Sequence, residues 1–232
     1  MCGRLNVIDD YGVRQLCEQL RIPLGIEPAL QKRFTRATDK VAIITQRQGQ
    51  NIIRPAIWWL LLETTENGFK PSKYTSFNTR YDKLNVPRSA GFKPYRQSRC
   101  IVPAKGFGES EFKNRKPLHY HDFEAVKGQA IAFGGLYREW VHTLTGELVT
   151  SCSIITLPPH DKLAPYHSKS MPLILPQDTT LLEAWLDPAF NDVGQFEYLL
   201  TPYLPQDLKV QQIDKPSLYN PIGEAKIING DG

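Results

Sequence analysis

The sequence predicts an α+β protein: a single domain built around a curved, barrel-like mixed β-sheet with flanking helices. Three observations support this class. Segments rich in β-branched and aromatic residues occupy the middle of the chain, whereas segments with helical periodicity lie towards its two ends. Strands and helices do not alternate regularly. The 232 residues, of which 41% are hydrophobic, are enough for one substantial core.

The first helix is predicted within residues 7–20. Its apolar residues recur at helical spacing: Val13, Leu16, Cys17 and Leu20. Asp9 and Asp10 precede them, and an aspartate there can cap a helix by accepting hydrogen bonds from its first backbone N–H groups. Cys17 is therefore interpreted as a core residue.

The predicted strands are short runs of β-branched and aromatic residues. They span residues 41–45, 52–62, 100–107, 130–137, 151–157 and 173–175. Asp178 is then placed to cap a helix whose apolar face comprises Leu181, Leu182, Trp185 and Leu186, and residues 193–200 predict another helix. No linker or repeat divides the chain, so we expect one domain over residues 2–232, with residues 216–232 as a loosely held tail.

Charge and cysteine content narrow the classes of function. The net charge of +4, from 28 Lys and Arg against 24 Asp and Glu, permits a nucleic-acid partner without requiring one. The four cysteines, at positions 2, 17, 100 and 152, are too scattered for a disulfide framework or a CxxC zinc site. The sequence has neither a membrane-spanning apolar run nor a signal-peptide stretch. We predict a soluble, cytoplasmic monomer with reduced thiols, no cofactor and no membrane contact.

Basic residues are concentrated between positions 70 and 116, where only Asp82, Glu109 and Glu111 oppose them. They are Lys70, Lys73, Arg80, Lys83, Arg88, Lys93, Arg96, Arg99, Lys105, Lys113, Arg115 and Lys116. Aromatic residues lie between them: Tyr74, Phe77, Tyr81, Phe92 and Tyr95. Such a segment can bind phosphates and stack on bases. A solvated, loop-rich face accounts for the charge equally well.

The chain opens with Met1, Cys2, Gly3 and Arg4. An initiator methionine is trimmed when the next side chain is small, which would leave Cys2 at the N-terminus. Its α-amine and thiol would have reference pKa values of about 7.7 to 8.0 and about 8.5, so both would be partly nucleophilic near neutrality. Such an aminothiol converts an aldehyde to an imine and then to a thiazolidine ring. The alternatives are an N-terminal nucleophile of the amidohydrolase kind and a chance cysteine.

Two internal segments add polar groups. Asn78 and Arg80 are two residues apart, so on an extended segment they share a face that suits an oxyanion or a phosphate, although an ordinary strand edge has the same pattern. Further on, an apolar strand is predicted to enter a glycine-rich turn at residues 106–108 that presents Glu109. A partly buried Glu109 would have a raised pKa and could transfer protons, and a plain surface charge is the alternative interpretation of Glu111.

Histidines supply the last candidates. His160 and His167 lie in a predicted loop between two apolar strands, beside Lys162, Ser168 and Lys169. A histidine there is a candidate general acid or base, and a plain surface residue is the alternative. His119 and His121 resemble a metal-binding pair, but with no third ligand identifiable we predict no metal site.

Taken together, these motifs resemble the SRAP family, the SOS response-associated peptidase-like proteins, which shield abasic sites in single-stranded DNA. The matching motifs are MCGR, the strand with Asn78 and Arg80, the RCIVPAKGFGE segment ending at Glu109, and a late histidine followed by MPLIL. The resemblance extends from Cys2 to about Leu186. It departs from the family pattern around Glu109, where Gly108 and Ser110 replace aromatic residues, so the chain looks like a divergent branch.

The resemblance implies a role for each matching residue. Cys2, exposed by removal of Met1, corresponds to the nucleophile that forms a thiazolidine crosslink with the abasic deoxyribose aldehyde. Asn78 would position the sugar, Glu109 would assist ring opening and proton transfer, and His167 would assist the crosslink chemistry. Arg4 and Arg80 would contact DNA phosphates.

The resemblance also implies an enzyme with crosslinking or lyase-like activity and with autoproteolytic removal of Met1 as a further candidate activity. Its partners would be single-stranded DNA containing abasic sites and, as a further candidate, the replication machinery. Two other functions stay open from the sequence: an N-terminal cysteine peptidase or amidohydrolase, and a non-covalent single-stranded nucleic-acid binding module.

Overall fold

The computed structural model describes residues 3–22, 26–114 and 116–232. Its strands are β1 (Arg4–Val7), β2 (Lys32–Arg36), β3 (Lys40–Arg47), β4 (Gln50–Ile57), β5 (Leu62–Thr65), β6 (Gly68–Pro71), β7 (Asn78–Arg80), β8 (Arg99–Ala104), β9 (Gly106–Lys113), β10 (Lys116–Ala125), β11 (Ile131–Val141), β12 (Leu148–Leu157), β13 (Met171–Pro172), β14 (Leu208–Ile213) and β15 (Pro221–Ile228). Its α-helices are α1 (Tyr11–Gln19), α2 (Phe92–Gln97) and α3 (Thr179–Leu186), and 3₁₀ helices span Pro28–Leu30, Tyr81–Lys83 and Val193–Leu200.

The fold is α+β with a barrel-like mixed sheet, as the sequence predicts. Strands β11, β8, β3, β4 and β12 pair in that order, and β12 pairs again with β11, which closes the sheet. The pairing of β12 with β4 is parallel, whereas the other pairings around the ring are antiparallel. Fully buried apolar side chains from these strands fill the centre, among them Ile43, Ile101, Phe133 and Ile154.

A second sheet carries two of the predicted site residues, Arg4 on β1 and Glu109 on β9. Its order is β15-β14-β10-β9-β1-β2, and every neighbouring pair in it is antiparallel. The N-terminal strand β1 therefore lies between β9 and the edge strand β2. Its residues Arg4 to Asn6 pair with the first part of β9, Gly108 to Gly106.

The two helices predicted from a capping aspartate and an apolar face are present in the structure as α1 and α3. Asp10 accepts a hydrogen bond from the Val13 backbone N–H at 3.1 Å and starts α1, whose apolar residues are buried. Asp178 does the same for α3 through the Leu181 N–H at 2.8 Å. The helix predicted over residues 193–200 is a 3₁₀ helix. The first helix starts later than predicted because Val7 belongs to β1.

Two predicted strands are broken in the structure: the one over 52–62, where β4 ends at Ile57 and β5 begins at Leu62, and the one over 100–107. The prediction over 100–107 spans β8 and the start of β9, because the chain passes at Lys105 from the barrel sheet to the second sheet. The predicted glycine-rich turn at 106–108 is wrong: these residues form the first part of β9. A Cβ on Gly106 would lie 2.2 Å from the Phe123 carbonyl oxygen, so the glycine there permits close strand packing and not a turn.

The C-terminal segment is held more firmly than the sequence predicts. Strand β15 pairs antiparallel with β14, and the Asp231 backbone N–H donates to the Leu204 carbonyl at 2.8 Å. The sequence predicts a loosely held tail over 216–232, whereas the structure pairs residues 221–228 with β14 and joins Asp231 to Leu204. Among the described residues, no helix combines the length and apolar character needed to cross a membrane.

Candidate active site

A cleft of about 350 Å³ opens where β1, β2 and β9 meet the loop between β12 and β13. Its lining residues are Gly3, Arg4, Phe34, Arg36, Phe77, Gly108, Glu109, Ser110, Phe112, His167, Lys169 and Pro216. Three of these are arginine or lysine and three are phenylalanine. The cleft therefore combines positive charge with aromatic surface around a carboxyl and an imidazole group.

Glu109 is the buried carboxyl group of this cleft. It lies on β9 opposite His121 of β10 and is only 2% exposed. Burial raises its pKa from 4.5 to about 7, with Arg4 opposing the shift and Glu111 adding to it. Near neutral pH the group therefore exists in both protonation states, which suits a general acid or base. The prediction that Glu109 is buried with a raised pKa agrees with this geometry.

His167 faces Glu109 from the loop that follows β12. Its Nε2 lies 3.6 Å from the Glu109 Oε2 atom, and its Nδ1 lies 3.4 Å from the Glu111 Oε2 atom. Burial lowers the pKa of His167 to about 4; Lys169 lowers it further and Glu111 opposes the shift. At neutral pH a neutral imidazole thus lies beside a carboxyl group that is partly protonated, and the pair can exchange a proton with a bound ligand.

Glu111 anchors the loop between β12 and β13 to β9. This loop, residues 158–170, carries His160 and His167 and is called the histidine loop below. Its two carboxylate oxygens accept hydrogen bonds from the Ser168 backbone N–H and hydroxyl, both at 3.0 Å. Burial alone would raise the pKa of Glu111, but the bonds from Ser168, together with His167 and Lys169, lower it below its usual value. No sequence pattern indicates this contact, because Glu111 and Ser168 are 57 residues apart in the chain and only the fold brings them together.

Arg4 forms a buried ion pair that crosses β9 over Gly108. Its Nη2 donates to the Asp122 carboxylate and, at 3.0 Å, to the His121 carbonyl oxygen. Arg4 is 7% exposed and lies across from Gly108 in the sheet. Its guanidinium lines the cleft, but much of its hydrogen-bonding capacity is directed to the protein itself. A role in contacting a ligand phosphate stays a prediction.

Gly108 is required by this arrangement. A Cβ at position 108 would lie 1.8 Å from Arg4 Nε, far closer than any real contact. We expect Gly108→Ala to lower the free energy of unfolding in urea by about 2 kcal/mol, the usual cost of overpacking. Gly194→Ala is the matched control, because its Cβ would meet only the end of the Asp192 side chain, at 3.3 Å. Equal stability of the two variants would contradict the close packing of Arg4 on β9.

Asn78 and Arg80 lie on β7, which pairs in parallel with β12. Thr79 between them is buried and its hydroxyl lies 2.7 Å from that of Ser153, so the two predicted residues share the other side of the strand. Arg80 is exposed and donates two hydrogen bonds to Asp82, at 2.9 and 2.8 Å. Within the described part of the chain, neighbouring Phe77 lines the cleft, whereas Asn78 and Arg80 do not.

The other predicted site residues fall in three places. Cys2 lies outside the described residues, although Gly3, the next residue, lines the cleft. His160 lies at the start of the histidine loop and contacts Asp231 and not the cleft. His119 and His121 are ring neighbours at 4.6 Å, but the described residues contain no group of three or more candidate metal ligands.

Sequence reasoning missed the cleft residues contributed by β2. Phe34 and Arg36 line the cleft because β2 pairs with β1, and the segment before residue 41 was not recognised as a strand. The segment Lys32–Arg36 contains one apolar residue, Phe34, and is too short and too polar to distinguish a strand from a loop. Pro216 reaches the cleft from the β14–β15 connection, which carries no sequence pattern that indicates a site.

The buried carboxyl group makes stability depend on pH. Because the folded-state pKa of Glu109 is raised to about 7, its contribution to stability is complete below the unfolded-state pKa and is lost as pH rises through 7. Glu109→Gln removes this pH-dependent loss of stability, because glutamine does not ionise. We expect the variant to gain about 2 to 3 kcal/mol of unfolding free energy relative to wild type between pH 5 and pH 8. A pH-independent difference in urea unfolding would contradict the raised pKa.

The fold combines a closed mixed barrel with a separate antiparallel sheet, and a cleft lined by basic and aromatic side chains holds a buried carboxyl group beside an imidazole. These features define the class as single-domain α+β proteins with a buried carboxyl–imidazole pair in a cleft. Comparison with known families makes this specific. The family model described as SOS response associated peptidase (SRAP) matches residues 1–216, and the chain belongs to this family.

Individual relatives agree with this assignment. The chain is similar to the abasic site processing protein YobE of Bacillus subtilis, with 27% identity over 214 residues that cover 92% of this chain and 94% of the relative. It is also similar to the abasic site processing protein YoaM of the same organism, with 26% identity over 220 residues covering 92% and 91%.

Solved structures share the fold. A protein from Bordetella bronchiseptica superposes with a TM-score of 0.69 and 17% identity over 92% of this chain and all (100%) of that chain. A protein from Bacteroides thetaiotaomicron superposes with a TM-score of 0.68 and 20% identity over 94% of this chain and 95% of that chain. These likenesses support the fold alone.

Proposed function

We propose that this protein processes abasic sites in single-stranded DNA by capturing the ring-opened deoxyribose as a covalent adduct. One observation carries the proposal: the buried pair of Glu109 and His167 lies in a cleft that is also lined by Gly3, the residue after Cys2. The substrate class is supported by the relatives named as abasic site processing proteins.

The first step is opening of the sugar. An abasic deoxyribose exists mostly as a closed hemiacetal, and its opening needs a proton removed from the C1 hydroxyl and a proton delivered to the ring oxygen. Glu109, with a pKa of about 7, can donate in its acid form and accept in its ionised form at neutral pH. The neutral imidazole of His167, 3.6 Å from Glu109, can exchange protons with it during this step.

The second step uses the amine and thiol of Cys2 after Met1 is removed. The amine adds to the aldehyde carbon and water leaves, which gives an imine. The thiolate then adds to the same carbon, while the imine nitrogen takes up a proton, and the five-membered thiazolidine closes. Binding in the cleft makes these additions effectively unimolecular, which compensates for two modest nucleophiles. Closure of the ring also removes the iminium from which the DNA strand could be broken.

The cleft surroundings suit a single-stranded DNA ligand. Arg36 and Lys169 are exposed cations at its rim, and Arg80 is exposed on nearby β7. Phosphate contacts from such residues are independent of sequence and weaken with salt. The phenylalanine side chains of the lining, Phe34, Phe77 and Phe112, offer ring faces to the bases beside the lesion. In the described part of the chain, Asn78 does not line the cleft itself but follows Phe77, which does, and it would orient the sugar from this position.

The test is a denaturing gel with an oligonucleotide that contains one abasic site. We expect wild-type protein to form an adduct that survives SDS and heat. An oligonucleotide with a tetrahydrofuran analogue of the abasic site, which cannot open to an aldehyde, is the matched control and should form none. No adduct with the true abasic site, in a preparation whose intact mass shows that Met1 is removed, would contradict the proposal.

A further inference from the structure

We propose that Asp231, near the C-terminus, is a positioning residue that holds the loop carrying His167 through contacts with His160 and Lys162. The proposal rests on the role proposed above for His167. Residues 217–232 lie beyond the region matched by the family model, so this contact is a feature of the present chain that the family match does not include.

Both carboxylate oxygens of Asp231 accept hydrogen bonds. Its Oδ2 accepts from His160 Nε2 at 2.8 Å and from the Leu204 backbone N–H at 2.7 Å, while its Oδ1 accepts from Lys162 Nζ at 2.6 Å. Lys162 Nζ also donates to the carbonyl oxygens of Asn229 and Gly230, at 3.0 and 2.8 Å. The side chains of Asp231 and His160 are 22% and 11% exposed, so water competes little for their contact.

The histidine tautomer follows from these contacts. His160 Nδ1 accepts a hydrogen bond from the Lys162 backbone N–H at 3.1 Å, so the ring proton of the neutral form lies on Nε2. That N–H is the donor to Asp231. A glutamine side chain at position 160 can place its Nε2 donor similarly, whereas alanine cannot.

The tail in turn is fixed to the body of the protein. Leu204 is fully buried, and besides donating to the Asp231 carboxylate it accepts a hydrogen bond from the Asp231 backbone N–H at 2.8 Å. The Gly230 backbone N–H donates to Asp207 Oδ1 at 2.9 Å. Asp231 therefore links the start of the histidine loop, through His160 and Lys162, to the buried residue Leu204.

A series of turns transmits this attachment to His167. The His160 carbonyl oxygen accepts from the backbone N–H groups of Leu163 and Ala164, both at 2.9 Å, and the Leu163 carbonyl accepts from His167 at 3.0 Å. Leu163 is itself buried. Ser168 fastens the other end of the loop to Glu111, so His167 lies between two anchors. Loss of the Asp231 anchor should loosen the imidazole without altering the rest of the cleft.

The experiment compares Asp231→Ala, His160→Ala and His160→Gln with wild type, and uses Asp192→Asn as the matched surface control. Asp192 precedes the 3₁₀ helix Val193–Leu200, and its carboxylate accepts a hydrogen bond from the Gln195 side chain at 3.0 Å. Hydrogen exchange of the backbone amides of Tyr166 and His167 is measured by NMR. We expect about tenfold faster exchange in the two alanine variants, and wild-type rates in His160→Gln and in the control.

The second measurement separates positioning from general damage. With abasic DNA at saturating concentration, the two alanine variants should crosslink about tenfold more slowly, while their Kd for DNA carrying the tetrahydrofuran analogue should stay within about twofold of wild type. His160→Gln should restore the rate. Unchanged exchange in both alanine variants, or equal loss in His160→Gln and His160→Ala, would overturn the proposal. If wild type forms no adduct, the proposed function fails, and the exchange data still decide whether Asp231 holds the loop.

Discussion

Cys2→Ser is expected to lower the yield of SDS-stable adduct with abasic DNA by at least about a thousandfold, as loss of a covalent nucleophile does in other enzymes. Serine keeps the N-terminal amine, so an imine can still form. Its hydroxyl is far less nucleophilic than a thiolate near neutral pH, and the ring should not close to a stable product. The measurement is a time course on denaturing gels, with and without a hydride reductant that traps imines.

Cys17→Ala is the matched control for this variant. Cys17 is a buried core residue of α1, and burial raises the pKa of its thiol to about 11, so it supplies no nucleophile. The control should crosslink like wild type. Reductant-dependent trapping in Cys2→Ser would support the amine-first order of steps. A stable adduct at wild-type yield without reductant would contradict the thiazolidine chemistry and favour another nucleophile.

Glu109→Gln is expected to slow crosslinking by about a hundredfold at saturating DNA, within the range that general acid–base groups contribute. Glutamine keeps the size of the side chain and its hydrogen-bonding ability but cannot gain or lose the proton that sugar opening needs. Binding of DNA with the tetrahydrofuran analogue should change by less than about threefold, because the loss is in the chemical step. Stopped time points on denaturing gels give the rate constant, and fluorescence anisotropy gives the Kd.

Glu139→Gln is a suitable control for Glu109→Gln. Glu139 pairs with Arg54 on the barrel, where its side chain is 42% exposed, and it does not line the cleft. Its substitution should leave the rate unchanged. A Glu109→Gln variant with full rate would mean that the aldehyde form is reached without the protein, and the assigned role of Glu109 would be wrong.

Local sequence patterns predicted the helices well because their causes are local. Asp10 and Asp178 cap α1 and α3 as expected, and the apolar residues at helical spacing behind them are buried. The strands of the barrel were also largely predicted, since long apolar runs such as that of β12 are buried on both faces. These features depend on neighbouring residues, which a sequence displays directly.

The second sheet was mostly missed because its strands depend on distant partners. Strands β1, β2, β10, β14 and β15 are short or polar and become strands only by pairing with one another and with β9. The glycines of β9 misled the prediction for a related reason. Gly108 is needed because the Arg4 guanidinium packs directly against it, and not because the chain turns there.

The candidate site was predicted in part. Glu109 and His167 were both named as site residues from the family resemblance, and the structure places them side by side. No spacing pattern in the sequence predicts this proximity, because the two residues are far apart in the chain. The anchors around them were not foreseen. Glu111 with Ser168, and Asp231 with His160, are contacts between segments that meet only in the folded protein. A single sequence contains no physical cue for such pairs.

The most direct test of the account is mass spectrometry of the crosslinked protein after nuclease and trypsin digestion. Trypsin cleaves after Arg4, so the account predicts a short peptide of Cys2, Gly3 and Arg4 that carries the sugar remnant, lacks Met1 and resists thiol alkylation. Its mass should equal that of peptide plus remnant aldehyde minus one water, as ring closure requires. An unmodified Cys2 peptide, with the remnant on another residue, would contradict the account.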